Sequence, residues 1–154
     1  MANITYRPVT TEDALFVAKH MRVHDVAEVE AMGLTPEQAT VMSVRFSDEA
    51  YTGLVNGEVA MVFGYVDNLT KDEGEIWALG TDKLFTVPRD MLKEGRKIVA
   101  DFLEKVPALG NWIGADNIYS INWLKHMGFS ISEPTPRGRN GEMFRHIGIK
   151  RKEK

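Results

Sequence analysis

The sequence contains no cysteine, which excludes disulfides, thiolate metal sites and cysteine nucleophiles and is typical of proteins from a reducing compartment. It also lacks any apolar run near the ~20 residues that a membrane span requires, and its N-terminus lacks the basic and apolar regions of a signal peptide. An excess of positive charge is absent too, since the net charge is -3 and the pI is about 5.8. We therefore expect an intracellular protein with no membrane span and no specific binding of nucleic acid.

The composition is that of one ordinary globular domain. Of 154 residues, 44% are hydrophobic and 27% are charged. This length is enough for a single core. We predict one domain over residues 1–149 and a solvated basic tail over residues 150–154, where Lys150, Arg151, Lys152 and Lys154 cluster.

Local signals set the boundaries of the predicted elements. Thr35-Pro36-Glu37-Gln38 is a capping box with proline at the first helical position. Asn56-Gly57 favours a type I′ hairpin turn, and after Pro88 apolar residues recur with helical spacing until Pro107. The predicted elements are a strand at 4–9, a helix from 10 or 11 to 21, a helix at 35–46, a hairpin at 51–67, a strand at 75–84, a helix at 88–106, a strand at 111–115, a helix at 117–127, and strands at 129–131 and 142–149.

The order β-α-α-β-β-β-α-β-α-β-β predicts an α/β fold. Hairpins in the front half and crossovers in the back half indicate a mixed, mostly antiparallel twisted sheet. We expect about six or seven strands flanked by about four helices.

The segment NIYSINWLKHMGF, residues 117–129, carries the most specific signal. Asn117 opens a short helix, Ser120 is a small residue in its first turn, and the helix ends in Gly128-Phe129. These residues and the element order resemble the GNAT family of N-acetyltransferases over nearly the whole chain. The resemblance implies that the fifth strand and the strand before the long helix splay apart and that acyl-CoA enters between them. It also implies that Asn117 and Ser120 lie at the cofactor site if acyl-CoA binds.

A narrower resemblance covers residues 108–129. LGNWIGADN before a helix containing Trp123-Leu124-Lys125 is similar to the small GNAT-like proteins of T7-like podoviruses, which are internal virion or virion-assembly proteins. This resemblance implies a bacteriophage protein located in the host cell cytoplasm during infection, or in the virion. It implies phage structural or assembly proteins, or a host protein, as partners. A homodimer formed through an exposed strand edge is left open.

In the GNAT resemblance, backbone amides at the start of the long helix hold the pyrophosphate through Arg/Gln-x-x-Gly-x-Gly/Ala. If Arg89 is aligned with the first residue, the small-residue positions fall on Leu92 and Glu94, and a glutamate there repels an anion. Arg89, Lys93 and Arg96 offer a different anion site made of side chains. The same charges are typical of the solvated face of an amphipathic helix, and this is the simpler interpretation.

The catalytic acid of the family is commonly a tyrosine seven residues after the asparagine, and this position is Leu124. Tyr119 is another donor, although it lies about 140° away around the helix. For the base, Glu75 and Asp116 are candidates, because burial raises the pKa of a carboxyl group toward neutrality. An exposed strand end for Glu75 and a helix cap for Asp116 are the simpler interpretations.

The connection HMRVHDVAEVEAMG, residues 20–33, lies on the acceptor side of the cleft in the resemblance. Arg22, Asp25 and Glu28, together with Trp77, are the candidates for contact with a substrate or a partner. Trp77 also suits the core, and the charges also suit a solvated connection. His20 and His24 have i, i+4 spacing but no third ligand at a recognisable spacing, so we predict no metal site.

Two hypotheses follow. The first is a phage accessory protein with a GNAT-like fold and a degraded cofactor loop, which binds phage or host proteins and needs no cofactor. The second is a divergent acetyl-CoA-dependent N-acetyltransferase that modifies a host protein or a small amine. The missing cradle and acid favour the first, and Asn117 with the Gly-Phe ending favours the second.

Overall fold

The computed structural model describes residues 3–67 and 73–152, which contain both strands and helices. The strands are β1 (Ile4–Pro8), β2 (Glu49–Val55), β3 (Glu58–Val66), β4 (Gly74–Gly80), β5 (Ala108–Gly114), β6 (Ser130–Ile131), β7 (Thr135–Pro136) and β8 (Met143–Lys150). The helices are α1 (Thr11–Lys19), α2 (Val23–Ala31), α3 (Pro36–Phe46), α4 (Pro88–Lys105) and α5 (Ile118–His126), and a 3₁₀ helix covers Asp82–Thr86.

The strands form one mixed sheet in the order β1-β2-β3-β4-β5-β8-β6, and β7 pairs with β8 beside this path. The pair β4–β5 is parallel, and the other described pairs are antiparallel. The predicted hairpin turn joins β2 to β3, where Asn56 has φ 51° and Gly57 has φ 81°. Positive φ at both positions is what a type I′ turn requires.

Helices cover both faces of the sheet. On one face α4 and α5 pack over a core that includes Phe63, Phe102 and Leu109. On the other face α1 and α3 pack over β3 and β4, with Val17, Val62 and Trp77 at the centre. A mixed sheet buried on both faces accounts for the apolar run of β3, in which six consecutive residues are buried.

The predicted fold class is confirmed, and several details differ. The connection at residues 20–33 contains a helix, α2, that the predicted order lacks, and a two-residue strand, β7, is also additional. The strand predicted at 75–84 ends at Gly80 and is followed by the 3₁₀ helix. The described residues therefore hold eight strands and five α-helices, against the six or seven and about four that we expected.

The boundary of the predicted tail lies inside β8. Lys150 is the last residue of this strand, and the backbone N–H of Arg151 donates to the carbonyl oxygen of Pro107 at 2.8 Å. Residues 153–154 of the predicted tail lie outside the described residues. The division into one domain and a tail stays a prediction.

Candidate active site

Strands β4 and β5 separate soon after they pair. Their register contains two pairs, Gly74 with Leu109 and Glu75 with Gly110. Beyond them the Nδ2 of Asn111 on β5 donates to the carbonyl oxygen of Ile76 on β4 at 2.6 Å, so a side chain takes the place of a backbone ladder. We call the gap beyond this bond the wedge.

Backbone groups of β4 face the wedge. The N–H of Thr81 bonds to Ala60 of β3 at 2.9 Å, and alternation along the strand then directs Ile76, Ala78 and Gly80 toward β5. The carbonyl oxygen of Ile76 accepts from Asn111, and both backbone groups of Gly80 are bonded to α2. The N–H and C=O of Ala78 remain directed into the wedge, where an extended amide-containing chain could pair with them.

A cavity of about 160 Å³ adjoins the wedge and lies between the sheet and helices α4 and α5. Its walls are mainly apolar. Asn117 and Ser120 at the start of α5 contribute polar groups, and Trp123 and Leu124 from the same helix also line it. The indole Nε1 of Trp123 is the buried side-chain polar atom that has no hydrogen-bond partner among the described residues.

Helix α2 is anchored to the end of β4 by a buried ion pair. Asp25, which is 2% exposed, accepts from the backbone N–H of Gly80 at 2.9 Å. The Nε and Nη2 of Arg22 each donate to its carboxylate at 3.0 Å, and the N–H of Arg22 donates to the carbonyl oxygen of Gly80 at 2.8 Å. This bidentate, charge-assisted geometry fixes the first turn of α2 across the wedge.

The same helix reaches the end of β5 through Glu28. Its Oε1 accepts from the backbone N–H of Gly114 at 2.5 Å and lies 3.5 Å from the Nδ2 of Asn117. A Cβ on Gly114 would lie 3.1 Å from this oxygen, so glycine permits the close approach. Burial raises the pKa of Glu28 to about 7, and the negative charge of Asp25 adds to the rise, whereas the bonds from Gly114 and Asn117 and the charge of Arg22 oppose it.

The Glu28 carboxyl group is therefore poised to exchange a proton near neutral pH at the mouth of the wedge. A general base works best when its pKa lies near the working pH. A partly buried carboxyl group with a raised pKa, lining a cavity beside free backbone groups, is a candidate for proton transfer.

Asn117 and Ser120 form the start of α5 as predicted. The Oδ1 of Asn117 accepts from the N–H of Ser120 at 3.4 Å, and the two residues are 3% and 8% exposed. Gly128 ends the helix with φ 100°, and Phe129 is buried behind it. Contact of Asn117 and Ser120 with a cofactor stays a prediction.

The segment between β4 and α4 is filled by side chains. A Cβ on Gly80 would lie 2.5 Å from the Cδ1 of Leu84, which shows how closely the 3₁₀ helix packs on β4. Helix α4 starts at Pro88 without a side-chain cap. Gly95 lies deeper, where a Cβ would meet the Sδ of Met127 at 2.7 Å, so this glycine serves contact between α4 and α5. A glycine-rich phosphate loop is thus absent from residues 80–95.

Solved structures with a similar architecture include several acetyltransferases. The ribosomal-protein-S18-alanine N-acetyltransferase from Escherichia coli has a TM-score of 0.67 and 16% identity, over 99% of this chain and 96% of that one. A GNAT-family acetyltransferase from Bacillus anthracis has a TM-score of 0.71 and 12% identity, over 97% and 96%. The chain has the GNAT acetyltransferase fold. Spermidine N-acetyltransferase from Vibrio cholerae, in complex with CoA and spermine, has a TM-score of 0.63 and 8% identity, over 96% and 95%.

Sequence comparisons add nothing to this structural likeness. No protein-family model matches the chain, and no curated protein sequence matches it either. At these low identities the likeness establishes the fold alone. The similar structures reported above are described as acetyltransferases, and none links the chain to phage virion proteins.

Within the GNAT fold, the residues at the wedge fit the acyl-pantetheine arm of acyl-CoA. The free backbone of Ala78 matches an amide-containing arm, and the unpartnered N–H of Trp123 offers one hydrogen bond to an acceptor. The phosphate end would meet side chains instead of a glycine loop. Arg89 and Lys93 are exposed on the first two turns of α4, whereas the Nη2 of Arg96 donates to the carbonyl oxygen of His126 at 2.8 Å.

The carboxylates and the tyrosine proposed from the sequence lie outside the cavity lining. Glu75 and Asp116 are exposed and do not line the cavity. Tyr119 is 41% exposed, and its ring packs edge-on against Phe85 at 4.7 Å. Their catalytic roles stay predictions that the geometry does not favour.

The proposed substrate-side residues are brought together. Arg22, Asp25, Glu28 and Trp77 all line the cavity. Trp77 is 8% exposed and donates from Nε1 to the Oγ of Ser47 at 2.6 Å, which makes it a core residue at the wall of the site. Sequence reasoning placed Glu28 on this side but not as the carboxyl group with a raised pKa. The i, i+3 spacing of Asp25 and Glu28 was the signal for a shared helical face.

The two histidines do not share a helix. His20 is the C-cap of α1 and His24 lies in α2, so the i, i+4 interpretation is wrong because the chain turns between them. Among residues 3–67 and 73–152 no group of three His, Asp or Glu side chains is placed to hold a metal ion. In the same ranges, no helix combines the length and the apolar character needed to cross a membrane.

Proposed function

We propose that this chain is an acyl-CoA-dependent N-acyltransferase in which Glu28 takes the proton from an acceptor amine. The observation that carries the proposal is the position of Glu28 between the ends of two diverging strands, with its pKa raised to about 7. Acyl-CoA supplies an acyl thioester whose carbonyl carbon is open to attack by an amine. The GNAT fold of the chain and the acetyltransferase names of its structural neighbours support this function.

The residues of the chain act on both reactants. Ala78 offers an N–H and a C=O to the pantetheine amides, which orients the thioester along β4. Arg22 and Asp25 hold α2 at the end of β4, and this keeps Glu28 at the mouth of the wedge. As the amine nitrogen forms its bond to the acyl carbon and the carbon–sulfur bond breaks, Glu28 receives the proton that the nitrogen loses.

The leaving thiolate has no donor at position 124. Leu124 lines the cavity, and its side chain carries no ionisable proton. Solvent would have to protonate the thiolate, so we expect slow turnover, because a missing positioned acid typically costs about 10²- to 10⁴-fold. Identification of the acceptor as a host protein or a small amine stays a prediction.

Binding of acetyl-CoA is the first test. At 100 times its dissociation constant a cofactor that binds the native state adds about 2.7 kcal/mol to the free energy of unfolding. Calorimetric titration and thermal unfolding with acetyl-CoA should both report binding. If millimolar acetyl-CoA gives neither a heat of binding nor a shift in thermal unfolding, the protein does not bind the co-substrate and the proposed function is wrong.

Turnover is the second test. Release of free CoA can be followed with a thiol reagent without background from the protein, because the chain has no cysteine. A panel of amines should include a polyamine and a peptide with N-terminal alanine, the acceptor types named for two structural neighbours. Glu28→Gln should keep acetyl-CoA binding and lose most turnover, whereas Glu30→Gln, an exposed change on the same helix, should lose neither.

A binding protein without catalysis is the second candidate function. It is favoured by Leu92 and Glu94, which occupy the two positions where the family resemblance expects the small residues of a phosphate loop. The phage origin, the location in the host cytoplasm or virion, the phage or host partners and the homodimer stay predictions. Failure of acetyl-CoA to bind, together with recovery of one defined protein partner from infected cells, would favour this candidate.

A further inference from the structure

The cavity beside the wedge extends much farther than an acetyl group requires. From Ala78 on β4 it continues past Phe63 on β3 and Leu54 on β2 to Ile4 on β1. These four strands are neighbours in the sheet, and at about 4.8 Å per strand the cavity crosses about 14 Å. An acetyl group would occupy only the end of this space.

The far part of the cavity is apolar and adaptable. Met61 of β3 and Met91 and Ile98 of α4 line it, and methionine side chains readily change shape around a ligand. Three charged groups of the lining lie at the mouth of the wedge: Arg22, which caps α2, and Asp25 and Glu28 within that helix. A fourth, Glu94, lies on α4 between Met91 and Ile98, and its Oε1 is 3.5 Å from the Nζ of Lys97. The charge of the cavity is therefore concentrated at the mouth, with Glu94 as the exception on α4.

The cavity is partly open to solvent, and its walls are mainly apolar. Cores pack as densely as organic crystals, so apolar side chains that line an unfilled space lack contacts on one side and would gain them from an apolar ligand. An apolar cavity of about 150 Å³ in another protein holds benzene, a molecule with six carbon atoms. The cavity found here measures about 160 Å³, and this volume includes the space beside Ala78 at the wedge as well as the part toward β1.

We propose that the acyl group transferred by this protein is a medium-chain acyl group of about six carbons, whose tail occupies the cavity between α4 and strands β1 to β3. This inference rests on the proposed function, since it names the substrate class of the same site. The thioester lies at the wedge near Glu28, and the tail extends under the sheet toward β1. Transfer still forms one carbon–nitrogen bond and breaks one carbon–sulfur bond, with the proton passing to Glu28.

A series of acyl-CoA thioesters tests the chain length by calorimetry with the full chain. Each methylene buried in an apolar site should tighten binding about fourfold. From acetyl-CoA to hexanoyl-CoA the dissociation constant should fall by up to about 200-fold, and it should stop falling, or rise, at decanoyl-CoA. Free CoA provides the reference for the part of the ligand that all members share.

A filling variant tests the location of the tail. Ile98→Phe adds volume inside the cavity and should bring the affinity for hexanoyl-CoA close to that for acetyl-CoA, while leaving the latter unchanged. Val41→Phe is the matched control, because Val41 is 42% exposed on α3 and does not line the cavity. This variant should bind hexanoyl-CoA as the wild type does.

The outcomes separate the two proposals. If the wild type binds acetyl-CoA and hexanoyl-CoA equally, the inference is wrong and the N-acyltransferase function stands. If no acyl-CoA binds, both are wrong. If Ile98→Phe fails to fold, the chain-length series of the wild type still decides the inference, because it needs no variant.

Discussion

The Glu28→Gln substitution removes an ionisable group from the mouth of the wedge and keeps the shape of the side chain. The amide oxygen of glutamine can still accept from the backbone N–H of Gly114, which lies 2.5 Å from the Oε1 of Glu28. Asp25 and Arg22 keep their own bonds to β4 and to each other. The variant therefore isolates the free energy of ionising position 28.

The magnitude follows from the difference between the folded and unfolded pKa. Burial raises the pKa of Glu28 from the ordinary 4.5 to about 7, so the native state holds a proton that the unfolded chain releases. Between these values the native state binds more protons, and the free energy of unfolding falls as the pH rises. The full effect is about 3 kcal/mol, of which about 2 to 3 kcal/mol lies between pH 5 and pH 8.

Unfolding of the wild type and of Glu28→Gln should be measured at both pH values. The stability of the wild type relative to the variant should fall by about 2 to 3 kcal/mol from pH 5 to pH 8, which corresponds to about 5 to 10 °C in Tm. Glu30→Gln changes an exposed carboxylate on the same helix and should show no such dependence. A difference that stays constant from pH 5 to pH 8 would mean that Glu28 ionises as in water, and the assignment of a buried base would be refuted.

Three further substitutions have expected outcomes. Glu49→Gln should lower the free energy of unfolding by about 1 to 2 kcal/mol at pH 7, because hydrogen bonding to Lys105 holds the pKa of Glu49 at about 2. The magnitude is modest because Lys105 is half-exposed. In acid titrations of both proteins, the difference in stability should vanish as the pH falls from 4.5 through 2. Gly95→Ala should lower the free energy of unfolding by up to about 2 kcal/mol in urea, because its Cβ would lie 2.7 Å from the Sδ of Met127 and 3.0 Å from the Cζ2 of Trp123, and this crowding exceeds the roughly 1 kcal/mol that alanine gains over glycine in a helix. An increased midpoint would contradict the packing of α4 on α5. Trp123→Phe removes a buried donor that has no partner among the described residues, so the free energy of unfolding of the ligand-free protein should change little beyond the effect of the smaller ring. The affinity for acetyl-CoA, measured by calorimetry, should fall about 5- to 10-fold. Equal affinity would exclude a hydrogen bond from this indole.

Local signals predicted many elements correctly. Thr35 and Gln38 form the reciprocal capping box, and Pro36 begins α3. Asn117 caps α5, and its side-chain oxygen accepts from the backbone N–H of Ser120, three residues later in the chain. Such features depend on residues within one helical turn, so the sequence alone contains the information that determines them.

Helix α2 was missed because it lacks a local start signal. Its N-cap is Arg22, whose side chain makes no capping bond, and its acidic residues read as a solvated connection. The helix is held by bonds to Gly80 and Gly114, which follow Asp25 and Glu28 by 55 and 86 residues in the chain. No sequence pattern within residues 20–33 predicts these hydrogen bonds to distant residues.

The choice of the base depended on the same long-range geometry. Glu75 was a reasonable candidate from its place on β4, but the strand directs it to an exposed position. The pKa of Glu28 is raised because the position of α2 across the ends of β4 and β5 buries its carboxyl group. Burial of a side chain depends on everything packed around it, whereas the sequence gives only its identity.

By itself, the sequence determined the fold class, the cap of α5, the hairpin turn, the lack of a glycine-rich loop before α4 and the lack of a tyrosine at position 124. Only the tertiary structure decided that β4 and β5 diverge, that α2 joins their ends, and that a cavity runs beneath the sheet to β1. The physical reason is one of range. Caps and turns are fixed by neighbours within a few residues, whereas the wedge, the environment of Glu28 and the cavity arise from contacts between segments that are far apart in the chain.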